Sequence, residues 1–118
     1  SNSPHLPWED GDASAYEPDT FELPPYLHDN KETRDALQKY YAEITDFDRE
    51  LGELDQLIND AGKADDTIFI YTSEQGAQFP FGKWTCYEVG LHVGLVIRWP
   101  GKIKAGSSSD AMVQYVDV

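Results

Sequence analysis

A chain of 118 residues holds one small domain at most, and its 40% hydrophobic and 13% aromatic content excludes wholesale disorder. Nine basic residues against 22 acidic ones, a net charge of −13 with no Lys/Arg run, exclude DNA or RNA as a general partner, because phosphate binding needs basic clusters. The single cysteine, Cys86, excludes an intrachain disulfide, and no stretch approaches the apolar length of a membrane span.

Residues 1–30 read as an irregular, extended arm. Pro4, Pro7, Pro18, Pro24 and Pro25 punctuate it, and proline suits turns and extended chain while blocking helix interiors. Trp8, Tyr16, Phe21, Leu23, Tyr26 and Leu27 supply apolar anchors that a free linker does not need, so the arm is expected to lie as a strap along a larger body. Residues 31–61 read as one long amphipathic helix. Ala36, Leu37, Tyr40, Tyr41, Ile44, Phe47, Leu51, Leu54, Leu57 and Ile58 recur in steps of three and four. Asp29 or Asn30 suits its N-cap and Gly62 its end. Glu43, Asp46, Asp48, Glu50, Glu53 and Asp55 are expected on its solvated face.

A short polar loop, Lys63 to Thr67, leads into an apolar run, Ile68-Phe69-Ile70-Tyr71, expected as a buried strand. The run ends in Thr72-Ser73-Glu74-Gln75-Gly76, which sets two oxygen-bearing side chains just past a strand's C-terminal end. That is where open α/β sheets place their ligand sites. Lys83 follows between Gly82 and Trp84, and a second apolar run, Leu95-Val96-Ile97, leads into Arg98-Trp99-Pro100-Gly101. Helix, strand, loop, strand is the alternation expected of an α/β sheet. Gly101 to Ser109 reads as a loop, and Asp110 as the cap of a terminal helix beginning near Ala111.

Glu74 and Gln75 are a carboxylate beside an amide oxygen, hard donors that suit Ca²⁺ or Mg²⁺ better than zinc. On composition alone the pair reads as an exposed turn. Lys83 reads either as a solvent lysine or as a charge clamp, and His5, in Pro4-His5-Leu6-Pro7-Trp8, as an arm histidine or a proton donor. His28 and His92 read as structural. Cys86 is assigned to packing.

Taken in order, these motifs resemble the sulfatases of the alkaline-phosphatase superfamily. The resemblance rests on Thr72-Ser73-Glu74-Gln75-Gly76, where the common family form is T-S-D-N-G or T-S-D-H-G. It also rests on Gly82-Lys83-Trp84-Thr85 with Tyr87-Glu88, and on Ile97-Arg98-Trp99-Pro100-Gly101-Lys102-Ile103. The likeness is greatest to the subgroup around heparan N-sulfatase (N-sulfoglucosamine sulfohydrolase) and its bacterial relatives. It implies part of an alkaline-phosphatase-like α/β sheet, with residues 67–118 forming a strand, metal-loop, strand segment. It implies that Glu74 and Gln75 ligate a divalent cation, Ca²⁺ or Mg²⁺, in the complete enzyme, and that Lys83 and His5 face the sulfate of a sulfated small molecule or glycan. An acidic protein can take such a substrate, because one pocket can be locally positive.

In the family the nucleophile is a formylglycine in a C/S-x-P-x-R context, and Cys86-Tyr87-Glu88-Val89 has neither the proline nor the arginine. The chain is therefore expected to be a segment of a sulfatase catalytic domain, inactive by itself. Family habit implies a periplasmic, extracellular or lysosomal setting. Two further readings stand beside this one. The first is a phosphodiesterase or phosphonate hydrolase of the same superfamily. The second is a non-catalytic acidic module whose apolar helix face self-associates.

Overall fold

The long helix starts where its first free N–H groups find an acceptor. In the computed structural model, which describes residues 4–118, α1 spans Lys31–Asp60 and Asn30 Oδ1 accepts from Thr33 N at 2.8 Å. Such a cap stabilises a helix by about 1 kcal/mol. Asp29 does not cap. It forms a two-pronged ion pair with Arg34, at 2.6 and 2.9 Å. Gly62 closes the far end with φ +65°, the left-handed conformation that lets Lys63 N reach Ile58 O at 3.1 Å.

The arm is bound to α1 by side chains of the helix. Prolines and irregular geometry deprive it of a backbone ladder, so its polar groups need other partners. Arg34 Nη1 donates to Pro18 O (2.6 Å) and Phe21 O (3.3 Å), and Gln38 Nε2 donates to Tyr16 O (2.7 Å). Glu43 Oε1 accepts from Glu9 N (2.8 Å) and Asp10 N (3.2 Å). Residues 9 to 21 thus run antiparallel to residues 43 to 34. Glu43 is only 1% exposed, which corrects its expected place on the solvated face: it faces the arm rather than water. The arm's first three residues, 1–3, lie outside the described residues.

The Arg34 hydrogen bond holds the Asp29 carboxyl below its ordinary value of 3.8. A depressed carboxylate stabilises the fold above its unfolded value and loses that contribution as pH falls through the lower folded value. Denaturant unfolding of Asp29→Asn is therefore expected to show a deficit against the parent at pH 7. That deficit disappears once the pH is well below 3.8.

Beyond a 3₁₀ turn at Ala64–Asp66, β1 (Phe69–Thr72) and β2 (Leu95–Arg98) pair antiparallel, with Phe69 opposite Arg98 and Thr72 opposite Leu95. Between them lies the motif loop and one helical turn, α2 (Glu88–Leu91). The sheet lies on α1 through Phe47 against Tyr71, with ring centroids 5.4 Å apart. Arg98 Nη1 also stands 2.8 Å from Asp55 Oδ1, an ion-pair distance without the alignment of a hydrogen bond.

The expected buried strand is covered on one face only. Phe69 and Tyr71 point toward α1, while Ile68 and Ile70 stay 47% and 45% exposed. Alternation along a strand sends neighbouring side chains to opposite faces, and the described residues cover a single one. The expected terminal helix is replaced by a single 3₁₀ turn, Tyr115–Asp117, capped by Gln114 rather than Asp110. Cys86 is exposed rather than packed, since it lies in the turn outside the start of α2.

The core sits where arm, helix and motif loop meet, around Leu37, Ala42 and the buried backbone of Gly82 and Gly90. Trp8 joins all three. It stacks on Phe79 (centroids 4.9 Å, 25°) and tilts against Tyr40 (5.4 Å, 57°).

Candidate functional site

The motif loop leaves β1 in a tight turn. Ser73 Oγ donates to Gln75 O at 2.9 Å, and Ser73 N donates to Gly94 O at 3.1 Å. Gly76 N then donates to Gly90 O at 3.0 Å. A Cβ at Gly76 would lie 1.8 Å from Val89 O, so only glycine admits the loop against α2. Ala77 O closes the next loop by accepting from both Phe79 N and Lys83 N, each at 2.8 Å. Phe81 and Trp84 flank Lys83 with φ +64° and +68°, a left-handed conformation that costs a residue with a Cβ. The backbone at Lys83 is thus set by its neighbours and not by solvent.

This folding brings Glu74, Gln75 and Lys83 to one cavity of about 330 Å³, and the arm brings His5 to the same cavity. The four are spread along the sequence from residue 5 to residue 83. One wall is aromatic: Tyr40 and Phe47 of α1 and Tyr71 of β1. The other is polar and includes Ser73, Glu74, Gln75 and Lys83. His28 and His92 line neither this cavity nor its neighbour. His92 Nδ1 instead lies 2.8 Å from Glu88 Oε1 on the exposed side of α2.

Each polar group is held by its neighbours. Gln75 Oε1 accepts from Trp84 N at 3.2 Å, and Gln75 Nε2 donates to Glu74 Oε2 at 3.2 Å. The glutamine thus ties the end of β1 to the lysine segment. Lys83 Nζ stands 5.2 Å from the Trp84 ring centroid, within cation–π range. His5 Nδ1 lies 2.7 Å from Leu6 O. A carbonyl only accepts, so Nδ1 carries the proton and Nε2 is the nitrogen free for chemistry. Burial pushes the Tyr40 phenol up, so it is a neutral hydroxyl at physiological pH.

The donor set tests the fit to a metal. Glu74 offers carboxylate oxygens and Gln75 a second lone pair on Oε1, both hard donors suited to Ca²⁺ or Mg²⁺. Such ions take six to eight oxygens, so the pair fits as part of a coordination shell. Among the described residues no three His, Cys, Asp or Glu converge on a further metal-sized site. No helix among them is long and apolar enough to cross a membrane.

The aromatic wall and Glu43 were not singled out for the site from the sequence. Tyr40 and Phe47, seven residues apart on one helix face, carried a signal. It reported only a buried stripe, because periodicity cannot distinguish a core from a cavity wall.

Comparison with known proteins bears on this arrangement. An ulvan-active sulfatase of Formosa agariphila is 30% identical over 97 residues, which cover 82% of this chain and 16% of that protein. An N-acetylglucosamine-6-O-sulfatase of Bacteroides thetaiotaomicron is 36% identical over 85 residues, 69% of this chain and 15% of its own length. The human N-sulphoglucosamine sulphohydrolase is 30% identical over 105 residues, 88% of this chain and 21% of its own length. The chain thus spans about a fifth or less of the curated relatives it matches. No solved structure matches it. The family model for sulfatases matches residues 1–118, the whole length of the sequence, and the chain therefore belongs to the sulfatase family.

Proposed function

We propose that this chain forms part of the active site of an enzyme that hydrolyses a sulfate ester or a sulfamate on a glycan. The single observation that carries the reading is the cavity in which Glu74, Gln75, Lys83 and His5 meet. Relatives named for ulvan, N-acetylglucosamine-6-O-sulfate and N-sulphoglucosamine chemistry support a sulfated saccharide as substrate. The nucleophile, a formylglycine in the resembling enzymes, is assigned to a part of the protein outside residues 1–118.

Each residue then has a task. Glu74 and Gln75 supply two of the oxygen ligands of a divalent cation, calcium by preference. When bound, that cation supplies Lewis-acid polarisation of a sulfuryl oxygen. Lys83 sets a positive charge against the sulfuryl oxygens as negative charge shifts among them, in a site where the Trp84 ring lies over the ammonium. His5, with Nδ1 tied to Leu6 O, presents Nε2 to the leaving group. In the imidazolium form it donates the proton that an alkoxide or amine leaving group needs. The aromatic wall of Tyr40, Phe47 and Tyr71 gives an apolar face for a sugar ring.

The test is sulfate release by the full-length protein from sulfated saccharides, run beside a phosphodiester. Turnover of the phosphodiester alone would overturn the sulfatase reading in favour of a phosphodiesterase. Cation binding is tested separately from activity. Calorimetric titration of the full-length protein with Ca²⁺ is expected to show an affinity lower by at least about tenfold for Glu74→Ala than for the parent, since even loss of an outer-shell partner of a ligand costs that much. Equal affinities would remove Glu74 from the ligand set.

A further inference from the structure

We propose that Glu43 is a positioning residue that holds His5 at the cavity; this rests on the reading of His5 as proton donor. Among the described residues, no backbone–backbone hydrogen bond holds residues 4–11 to the rest of the molecule. Two N–H donors from Glu9 and Asp10 to Glu43 Oε1, at 2.8 and 3.2 Å, are the hydrogen bonds joining this stretch to α1. They fall three and four residues after Leu6, the residue that fixes the His5 ring through its carbonyl.

The acid is unusual in its setting. Glu43 is 1% exposed, and its second oxygen, Oε2, is buried without a partner. A buried polar group left unsatisfied is destabilising, so packing alone would favour an apolar residue at this helix position. What the carboxyl does is grip two successive amides of a segment that has no ladder of its own. Gly11 shows how closely the arm is pressed there: with φ +78°, a Cβ on it would lie 2.3 Å from Ala42 O. From this clamp the chain runs back through Trp8, stacked on Phe79, and Trp8 Nε1 donates to Pro4 O at 3.4 Å, folding the tip that carries His5. Glu43 does not line the cavity, and its hydrogen bonds go to the arm, so it acts through the arm.

The experiment is a double-mutant cycle in the full-length enzyme, with two substrates that differ in leaving group. A proton donor matters for a poor leaving group, such as a sugar alkoxide or amine, and little for 4-nitrophenolate. His5→Ala is expected to slow the saccharide about a hundredfold and 4-nitrophenyl sulfate hardly at all. Glu43→Ala should show the same selectivity with a loss of about tenfold, and add nothing when His5 is already alanine. Glu43→Gln, which keeps an acceptor oxygen and the side-chain volume, should restore most of the rate. In Glu43→Ala the Glu9 and Asp10 amides should also exchange hydrogen faster than in the parent.

Equal losses on both substrates, or losses that add to those of His5→Ala, overturn the proposal. Unchanged exchange at Glu9 and Asp10 overturns it alone, leaving the His5 reading intact. A His5→Ala enzyme without the leaving-group signature overturns the His5 reading, and this proposal with it.

Discussion

Replacing Lys83 by alanine is expected to lower kcat on a sulfated saccharide by about a hundredfold to a thousandfold, with little change in the melting temperature of the full-length protein. The size follows from removing one preorganised charge aimed at oxygens that carry the developing charge. The small effect on stability follows from the setting. Lys83 forms no ion pair among the described residues, and the loop's shape depends on its backbone: Lys83 N donates to Ala77 O whatever the side chain. Lys83→Arg is not a conservative repair. A planar guanidinium is wider than an ammonium and would have to fit beside Gln75, whose amide is fixed by Trp84 N and Glu74. Arginine is therefore expected to recover only part of the loss. Steady-state kinetics on the two variants, with thermal melts alongside, check both statements. An alanine variant within about threefold of the parent in kcat would remove Lys83 from the chemistry, because charge clamps of this kind contribute far more.

The second large effect is on the fold that holds the site. Gly76→Ala is expected to destabilise the protein by about 1–3 kcal/mol, the usual range for an overpacked position. A Cβ there would meet Val89 O at 1.8 Å, Val89 C at 2.8 Å and Gly90 Cα at 3.0 Å. All three are backbone atoms, so no side chain can rotate away. Relief requires the motif loop and α2 to separate, which breaks the bond from Gly76 N to Gly90 O. The same movement would displace Gln75 from Trp84 N, so the Gly76→Ala protein should lose cation affinity as well as stability. Gly94→Ala is the control. Nothing lies within 4 Å of its Cβ position, and its effect on unfolding should be slight. Denaturant melts of the two variants separate crowding at Gly76 from a general intolerance of alanine for glycine.

Several features are legible along the chain because they depend on near neighbours. The steps of three and four from Ala36 to Ile58 give one long helix, since a 3.6-residue period needs only a single covered face. Asn30 and Gly62 mark its ends by the hydrogen-bonding and φ requirements of caps. The apolar runs at 68–71 and 95–97 mark the strands β1 (Phe69–Thr72) and β2 (Leu95–Arg98), shifted by a residue at their ends. The membership of the sulfatase family is legible too, in the order of the T-S-acid-amide-G, G-K-x-T and R-W-P-G segments.

Long-range contact decided the rest. Glu43 stands three residues after Tyr40 and four before Phe47, at the edge of the apolar stripe, so its phase carried a signal that its charge masked; the arm, 33 and 34 residues away, is what covers it. The first apolar run reads as a buried strand, yet Ile68 and Ile70 are half exposed, because burial depends on what lies against a strand and not on its composition. That Tyr40 and Phe47 wall a cavity, and that His5 meets Lys83 within it, depends on an arm folded back along a helix. The sequence alone determined the local elements, the family and the residue types able to do the chemistry. Only the tertiary structure decided which of those residues share a cavity, since distance in space is set by packing between segments and leaves no periodic trace in the chain.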